Sequence, residues 1–344
     1  MSTSEINSIT IGPRQSNFEL LRILAMFLVI VIHADFLSTG LPSPEEYYAD
    51  WLPVTTKVLF ESISIVCVNV FILISGWFGI RPSFKSFSQF AFQCLFFYVG
   101  LYLLFLIKGD AELSIRGIAQ CLCLTKEDDW FIKAYIGLYV ISPVLNKFIE
   151  TSGEKVFRNT LIAFYIFHTL YGCSSSARFI YHGYSAFSFI GLYLLAAYVR
   201  RYGIAFYKWG GVVYLASVVL NTIGYIQQYY THQSLPVLNY DNPLVILGAL
   251  GLLLYFKNLE IGYSKVINWL GASSFAVYLF HGNPFIMRKV FIPSMQFFYE
   301  NYSGLSCLVV MGAALAGIFL LAVLLDQPRK WLWKYLSPKI NIKN

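Results

Sequence analysis

Long apolar runs alternate with short polar loops along the whole chain. A helix needs about 20 mostly apolar residues to cross a bilayer, and most of the runs reach that length. The fifth and the eighth runs are shorter, so their helices need longer ends or a different tilt. The pattern predicts ten transmembrane helices, at residues 18–36, 58–78, 87–107, 130–149, 160–171, 186–202, 210–229, 243–256, 266–285 and 305–325.

Lysine and arginine fall mainly into alternate loops. If the N-terminus is cytoplasmic, most of the 25 basic residues lie in cytoplasmic segments and the acidic loops face outward. Cytoplasmic loops of membrane proteins carry an excess of Lys and Arg, so we predict that both termini are cytoplasmic. The chain then divides into a cytoplasmic N-terminal arm (1–17), a transmembrane domain (18–325) and a basic cytoplasmic tail (326–344).

Composition supports the same fold class. The 344 residues are 57% hydrophobic and only 12% charged, whereas soluble domains carry roughly 25% charged residues. The mean hydropathy of +0.61 excludes a soluble enzyme, and the fold class predicted is an all-α, polytopic integral membrane protein. The net charge of +7 fits basic loops beside anionic lipid, so we expect no nucleic-acid partner. The six cysteines are scattered and form no zinc pattern, so we expect no metal.

The first predicted span carries an arginine and a histidine in helical phase. Arg22 and His33 are 11 residues apart, which places both on one helix face, roughly 16 Å apart along the axis. Arginine is the preferred planar donor to phosphate, and histidine is the usual general base near neutral pH. Arg22 can therefore hold a phosphorylated cosubstrate, and His33 can deprotonate a hydroxyl that attacks an acyl group. The alternative is that Arg22 snorkels to lipid headgroups and His33 makes a structural hydrogen bond.

The second predicted span ends with a Ser-Gly step followed by basic residues. Ser75 and Gly76 either let two helices pack closely or break the helix and expose backbone groups. Arg81 and Lys85 follow the span and add positive charge near Arg22, although a positive-inside topology explains them as well.

Polar and aromatic residues gather at the predicted outer side. Asp129, Trp130 and Tyr135 open the fourth span; Trp and Tyr favour the membrane interface, and a carboxylate beside such rings also suits a sugar. His281 ends the ninth span on the same side as His33. Either a structural role or a place in the acceptor site explains it.

Taken together, these segments resemble the membrane acyltransferase 3 family, which includes bacterial polysaccharide O-acetyltransferases. The resemblance rests on four segments in order, namely Glu19-Leu20-Leu21-Arg22 to His33, Phe71 to Ile80, Trp130 to Asn146, and Tyr278 to His281. Many members carry Arg-x-x-Arg after the second span, whereas here Arg81 is followed by Lys85. Some members carry a soluble C-terminal esterase-like domain, and we expect this chain to be a member without one.

The resemblance implies ten core helices and acetyl-CoA as acyl donor on the cytoplasmic side. It implies that Arg22 contacts the coenzyme phosphates, with Arg81 nearby, that Ser75 and Gly76 shape the donor channel, and that His33 is the catalytic histidine. The acceptor is a carbohydrate hydroxyl on a lipid-linked glycan, such as an O-antigen, capsule or exopolysaccharide precursor.

The same resemblance sets the expected partners and location. The protein is expected in the bacterial plasma or inner membrane, in contact with membrane lipids, with a role in polysaccharide modification and lipopolysaccharide biosynthesis. A homodimer is one option for its oligomeric state, which the sequence does not fix.

Two other functions stay open at this point. A transporter or flippase for a lipid-linked sugar or a small amphipathic metabolite also needs intramembrane Arg and His. Transport by itself, however, does not require the two side chains to lie on the same face of one helix. A glycan polymerase usually needs a large outer loop, and the longest predicted outer loops here are only about as long as one membrane-spanning helix.

Overall fold

The structure is a computed structural model that describes residues 14–125, 130–175, 177–233 and 236–337, without the side chains of 173–175. Within these ranges the secondary structure is helical and contains no strand. This confirms the all-α fold class.

The helices of the first half of the chain are α1 Ser16–Ala34, α2 Phe36–Thr39, α3 Pro44–Ala49, α4 Trp51–Ser64, α5 Cys67–Phe78, α6 Phe84–Ile107, α7 Ile115–Cys121, α8 Trp130–Thr151 and α9 Glu154–Ser175. The helices of the second half are α10 Ala186–Tyr202, α11 Gly210–Thr231, α12 Pro243–Lys257, α13 Lys265–Gly271, α14 Ser274–His281, α15 Pro284–Ile286, α16 Ile292–Asn301 and α17 Gly304–Leu336. A 3₁₀ turn at Tyr181–Gly183 and a π-helical turn at Met287–Phe291 complete the secondary structure described.

Six of the helical segments in the described ranges are long and apolar enough to cross a membrane. They are Ser16–Thr39, Trp51–Phe78, Phe84–Ile107, Trp130–Thr151, Gly210–Thr231 and Gly304–Leu336. The helix α12 is apolar but shorter, and α9 extends beyond both ends of the predicted fifth span, as a short apolar run requires. The chain is therefore a polytopic membrane protein.

Two predicted spans are not single helices. The second is interrupted at Ile65 and Val66, between α4 and α5, whereas the helix continues unbroken through Ser75 and Gly76. The prediction of one continuous ninth span is wrong, because residues 265–286 form three short helices, α13, α14 and α15. The last of these breaks has a local cause: the Asn283 side chain accepts a hydrogen bond from the backbone N–H of Phe285, capping a new helix that starts with Pro284.

The last helix passes through the predicted start of the tail. α17 continues to Leu336, and Asp326 and Arg329 are almost completely buried. Their side chains pair through two hydrogen bonds, of 2.8 and 3.1 Å, one helical turn apart. Because the ion pair satisfies both charges, the helix can carry them into the bundle.

Two helices form the centre of the bundle. α1 packs against α4, α5, α12, α13, α14 and α17, while α5 packs against α1, α10 and α12. Every residue of α5 is buried except Phe71, Ser75 and Phe78, which follow an i, i+4, i+7 spacing along one face. That stripe leaves one side of α5 open.

A close contact fixes α5 against α10. A Cβ atom at Gly76 would overlap the backbone of Tyr193, so only glycine allows this approach. The Tyr193 hydroxyl accepts a hydrogen bond from the N–H of Ile80 and donates one to Asn146 of α8. The Ser-Gly step is therefore a packing contact rather than a break in the helix.

We expect Gly76→Ala to destabilise the protein by about 1–3 kcal/mol, because the added methyl group overlaps the α10 backbone. Thermal unfolding of the purified protein in detergent, followed by tryptophan fluorescence, measures this change. Gly100→Ala is the matched control, since Gly100 of α6 has open space at its Cβ position, and its melting temperature should not fall. Equal melting temperatures for Gly76→Ala and the wild type would contradict the close contact.

Candidate active site

A cavity of about 1050 Å³ runs along the open sides of α1 and α5. This volume is close to the upper end of the range of ligand-binding sites. The cavity reaches the exposed Arg14 at one end, passes Arg22, and continues past His33 to the exposed Leu41 at the other end. We name these the Arg22 end and the His33 end. Both side chains that the sequence places on one face of α1 therefore line the same cavity.

An ion pair holds the guanidinium at the Arg22 end. Glu19, one turn earlier on α1, is only 2% exposed and forms short ion-pair contacts with Arg22 and, at 3.3 Å, with Arg14. The guanidinium of Arg22 also lies 5.7 Å from the ring centroid of Phe78. The carboxylate offsets the cost of a buried cation, and the guanidinium keeps donors available to the cavity.

Two hydroxyl side chains accompany Arg22. Ser75 and Tyr135 both line the cavity, and Tyr135 interacts electrostatically with Arg22. The Ser75 hydroxyl donates a 3.0 Å hydrogen bond to the carbonyl of Phe71 on its own helix. The sequence assigned Tyr135 to the acceptor side, whereas the structure groups it with Arg22 and Ser75.

Two histidines meet at the other end. Nδ1 of His33 lies 3.0 Å from Nε2 of His281, and Nδ1 of His281 lies 2.6 Å from the carbonyl oxygen of Val277. A carbonyl only accepts, so His281 donates from Nδ1 and, when neutral, its Nε2 accepts from Nδ1–H of His33. This assignment leaves the lone pair of His33 on Nε2, to which no described residue donates a hydrogen bond.

Aromatic rings form the wall between α8 and α14. Trp130 packs edge-on against Tyr184, with ring centroids 4.4 Å apart, and 5.9 Å from Tyr240. Phe131 lies 5.5 Å from Tyr278, which in turn reaches His281. Rings in such arrangements give a rigid, mainly apolar wall.

Several predicted site residues lie elsewhere. Gly76 faces α10 and is not among the residues lining the cavity. Arg81 is exposed, beyond the end of α5 at Gly79, whose φ of 78° turns the chain away, and it is also absent from the cavity wall. His281 lies behind His33 and is fully buried. Asp129 lies outside the described residues.

Two acidic residues at the cavity were missed from the sequence. Glu19 stands in the first motif, and Glu61 of α4 lines the cavity and is 6% exposed. Both are ionisable residues inside predicted spans, which is by itself a signal for function. Among the described residues no group of three or more His, Cys, Asp or Glu could hold a metal ion.

Comparison with known proteins identifies the family of the chain. The chain matches the acyltransferase 3 family, described as an acyltransferase domain, over residues 15–327. No curated protein and no solved structure matches it. The family match spans Arg22, His33 and the helices around them, and an acyltransferase domain favours an enzyme over a transporter. The chain belongs to the acyltransferase 3 family and is a membrane acyltransferase.

Proposed function

We propose that this membrane acyltransferase moves an acetyl group from acetyl-CoA to a hydroxyl of a carbohydrate acceptor. The observation that carries the proposal is one cavity that connects Arg22 to His33. A phosphate-binding cation stands at one end and a base at the other, so donor and acceptor can enter from opposite ends.

The donor is assigned to the Arg22 end. Arg22 offers a guanidinium for phosphate groups, and Arg14 adds a second cation at the same mouth. His33 lies roughly 16 Å further along α1. A donor must therefore carry its acyl group at the end of a long, thin arm, as the pantetheine arm of coenzyme A provides.

His33 supplies the chemistry at the other end. Its Nε2 takes the proton of the acceptor hydroxyl as the oxygen attacks the thioester carbonyl carbon. The carbon–sulfur bond breaks, the acetyl group stays on the acceptor, and the coenzyme leaves as a thiolate that recovers the proton from His33. His281 accepts the Nδ1–H of His33 throughout, which keeps Nε2 as the basic nitrogen.

The acceptor is assigned to the aromatic wall beyond His33. Trp130 and Tyr184 offer ring faces against which a sugar can lie, and Asn239 adds a polar group to the same lining. The basic loops predict that the Arg22 end faces the cytoplasm, so the acceptor reaches His33 from the outer side of a bacterial inner membrane. A lipid-linked O-antigen, capsule or exopolysaccharide precursor has the required position.

We expect His33→Ala to lower the rate of acetyl transfer by about 10²–10⁴-fold, the contribution typical of a general base. Protein purified into lipid nanodiscs is mixed with labelled acetyl-CoA and a membrane-glycan fraction from the source organism, and label in the glycan is counted. Retained binding of acetyl-CoA shows that the variant is folded. Equal label in the wild type and His33→Ala would contradict the assignment of His33.

We expect Arg22→Gln to raise the KM for acetyl-CoA roughly 10–100-fold, since it removes a charged hydrogen bond to phosphate. The same nanodisc assay, with acetyl-CoA varied at a fixed glycan concentration, measures the change. Arg158→Gln is the control, because Arg158 is an exposed arginine on α9. A KM that rises equally in both variants would show that bulk charge, and not the position of Arg22, binds the donor.

His281 is expected to act as a positioning residue. His281→Ala removes the acceptor of the His33 Nδ1–H, so kcat should fall roughly tenfold, the value of one buried hydrogen bond, while the KM for acetyl-CoA stays unchanged. His281→Gln retains an acceptor at a similar reach and should recover most of the rate. A KM increase without loss of kcat would instead support the predicted substrate-binding role.

A further inference from the structure

A second carboxylate lies in the membrane-spanning part of the cavity, close to His33. Glu61 of α4 lines the cavity, and its carboxyl interacts with the backbone N–H of Phe36, three residues after His33. Its Oε2 atom is buried and has no hydrogen-bond partner. The side chain therefore brings an unused acceptor to the wall of this part of the cavity.

The packing leaves one oxygen of this carboxyl group without a hydrogen bond. Burying a polar group without a hydrogen bond costs free energy, and an ionisable side chain inside a membrane span usually serves a substrate or ion pathway. Among the other acidic residues of the spans, Glu19 and Asp326 have arginine partners. Asp35 also has a buried oxygen without a partner, but it is not among the residues lining the cavity. Glu61 therefore needs a donor that comes from outside the protein.

The residues near Glu61 indicate which kind of donor group the cavity can accept. Tyr184 and Tyr225 line the same cavity and lie within electrostatic range of Glu61. A cavity that holds a carboxylate and aromatic rings can bind a sugar, because the carboxylate accepts from a hydroxyl while a ring covers the apolar face.

We infer that Glu61 recognises the acceptor by accepting a hydrogen bond from a second hydroxyl of the sugar that His33 deprotonates. This rests on the proposed function and narrows its acceptor to a polyhydroxy ring rather than a simple alcohol. His33 acts on the hydroxyl that is acylated, and Glu61 holds a neighbouring hydroxyl that is not. Two contacts of this kind fix which oxygen faces the thioester.

Lys57 is a cation close to Glu61. Its ammonium donates to the carbonyls of Thr39 and Gly40, at 3.3 and 2.7 Å, and interacts electrostatically with Asp35 and Glu61. Because these two carbonyls take its hydrogen bonds, Lys57 leaves the Oε2 of Glu61 without a donor.

Acceptor titration in nanodiscs tests this inference. The membrane-glycan fraction of the source organism is varied at saturating acetyl-CoA, and initial transfer rates are measured. We expect Glu61→Leu to raise the half-saturating glycan concentration roughly 10–100-fold and to leave the KM for acetyl-CoA within about twofold. Glu61→Gln keeps a neutral acceptor and should show a smaller increase. The melting temperature of Glu61→Leu should change little, because the variant removes a buried oxygen without a partner along with the interactions with the Phe36 N–H and Lys57.

Glu300→Leu is the matched control, since Glu300 is exposed on α16, and it should saturate like the wild type. A half-saturating concentration unchanged in Glu61→Leu overturns the inference but leaves the proposed function intact. An equal rise in both constants also overturns it, because it shows a general structural effect. Absence of transfer by the wild type contradicts the proposed function itself, and the inference falls with it.

Discussion

Hydrocarbon cannot solvate a carboxylate, a guanidinium or an imidazole, and α1 carries all three. Each group must therefore face a partner or a cavity inside the bundle. Glu19 pairs with Arg22 within α1, while His33 takes its partner from α14. The consequence is that α1 lies in the middle of the bundle, with helices from both halves of the chain around it. The position of the cavity follows from the same constraint.

The broken helix at residues 265–286 serves this arrangement. α13 ends at Gly271, and α14 begins at Ser274 and ends at His281. A Cβ at Gly271 would overlap the side chain of Glu19, so the end of α13 lies directly against α1. The end of α14 brings Nε2 of His281 to 3.0 Å from Nδ1 of His33. The break therefore lets two short helices contact α1 at two places, one at the Glu19–Arg22 ion pair and the other at His33.

The sequence predicted local features of this site well and contacts between distant segments poorly. Helical phase placed Arg22 and His33 on one face because both lie on a single unbroken helix. The same reasoning missed the bond from His33 to His281, 248 positions away, since only tertiary packing brings them together. The resemblance assigned Ser75 and Gly76 together to the donor channel, but adjacent positions on a helix point about 100° apart, and of the two only Ser75 lines the cavity.

The tail boundary shows a similar limit. Asp326 is the first charged residue after the last apolar run, and such a residue usually indicates that the membrane-spanning helix has ended. Its partner Arg329 follows one turn later, and an i, i+3 pair can keep a charge inside a bundle. The i, i+3 spacing of the pair is visible in the sequence, but the sequence does not show whether the pair is exposed or buried. Its burial depends on the packing of α6 and α14 against α17.

Charge along the cavity differs between its two ends. The Arg22 end presents the guanidinium groups of Arg22 and Arg14, and the proposed function places the phosphates of the donor there. The rest of the wall carries charges of both signs, because Glu61 lines it and so does Arg288, seven residues after His281. Hydrogen bonding and ring contacts, rather than net charge, are therefore the basis on which the proposed acceptor would be selected there. His33, the proposed base, lies between these two regions on the same helix as Arg22.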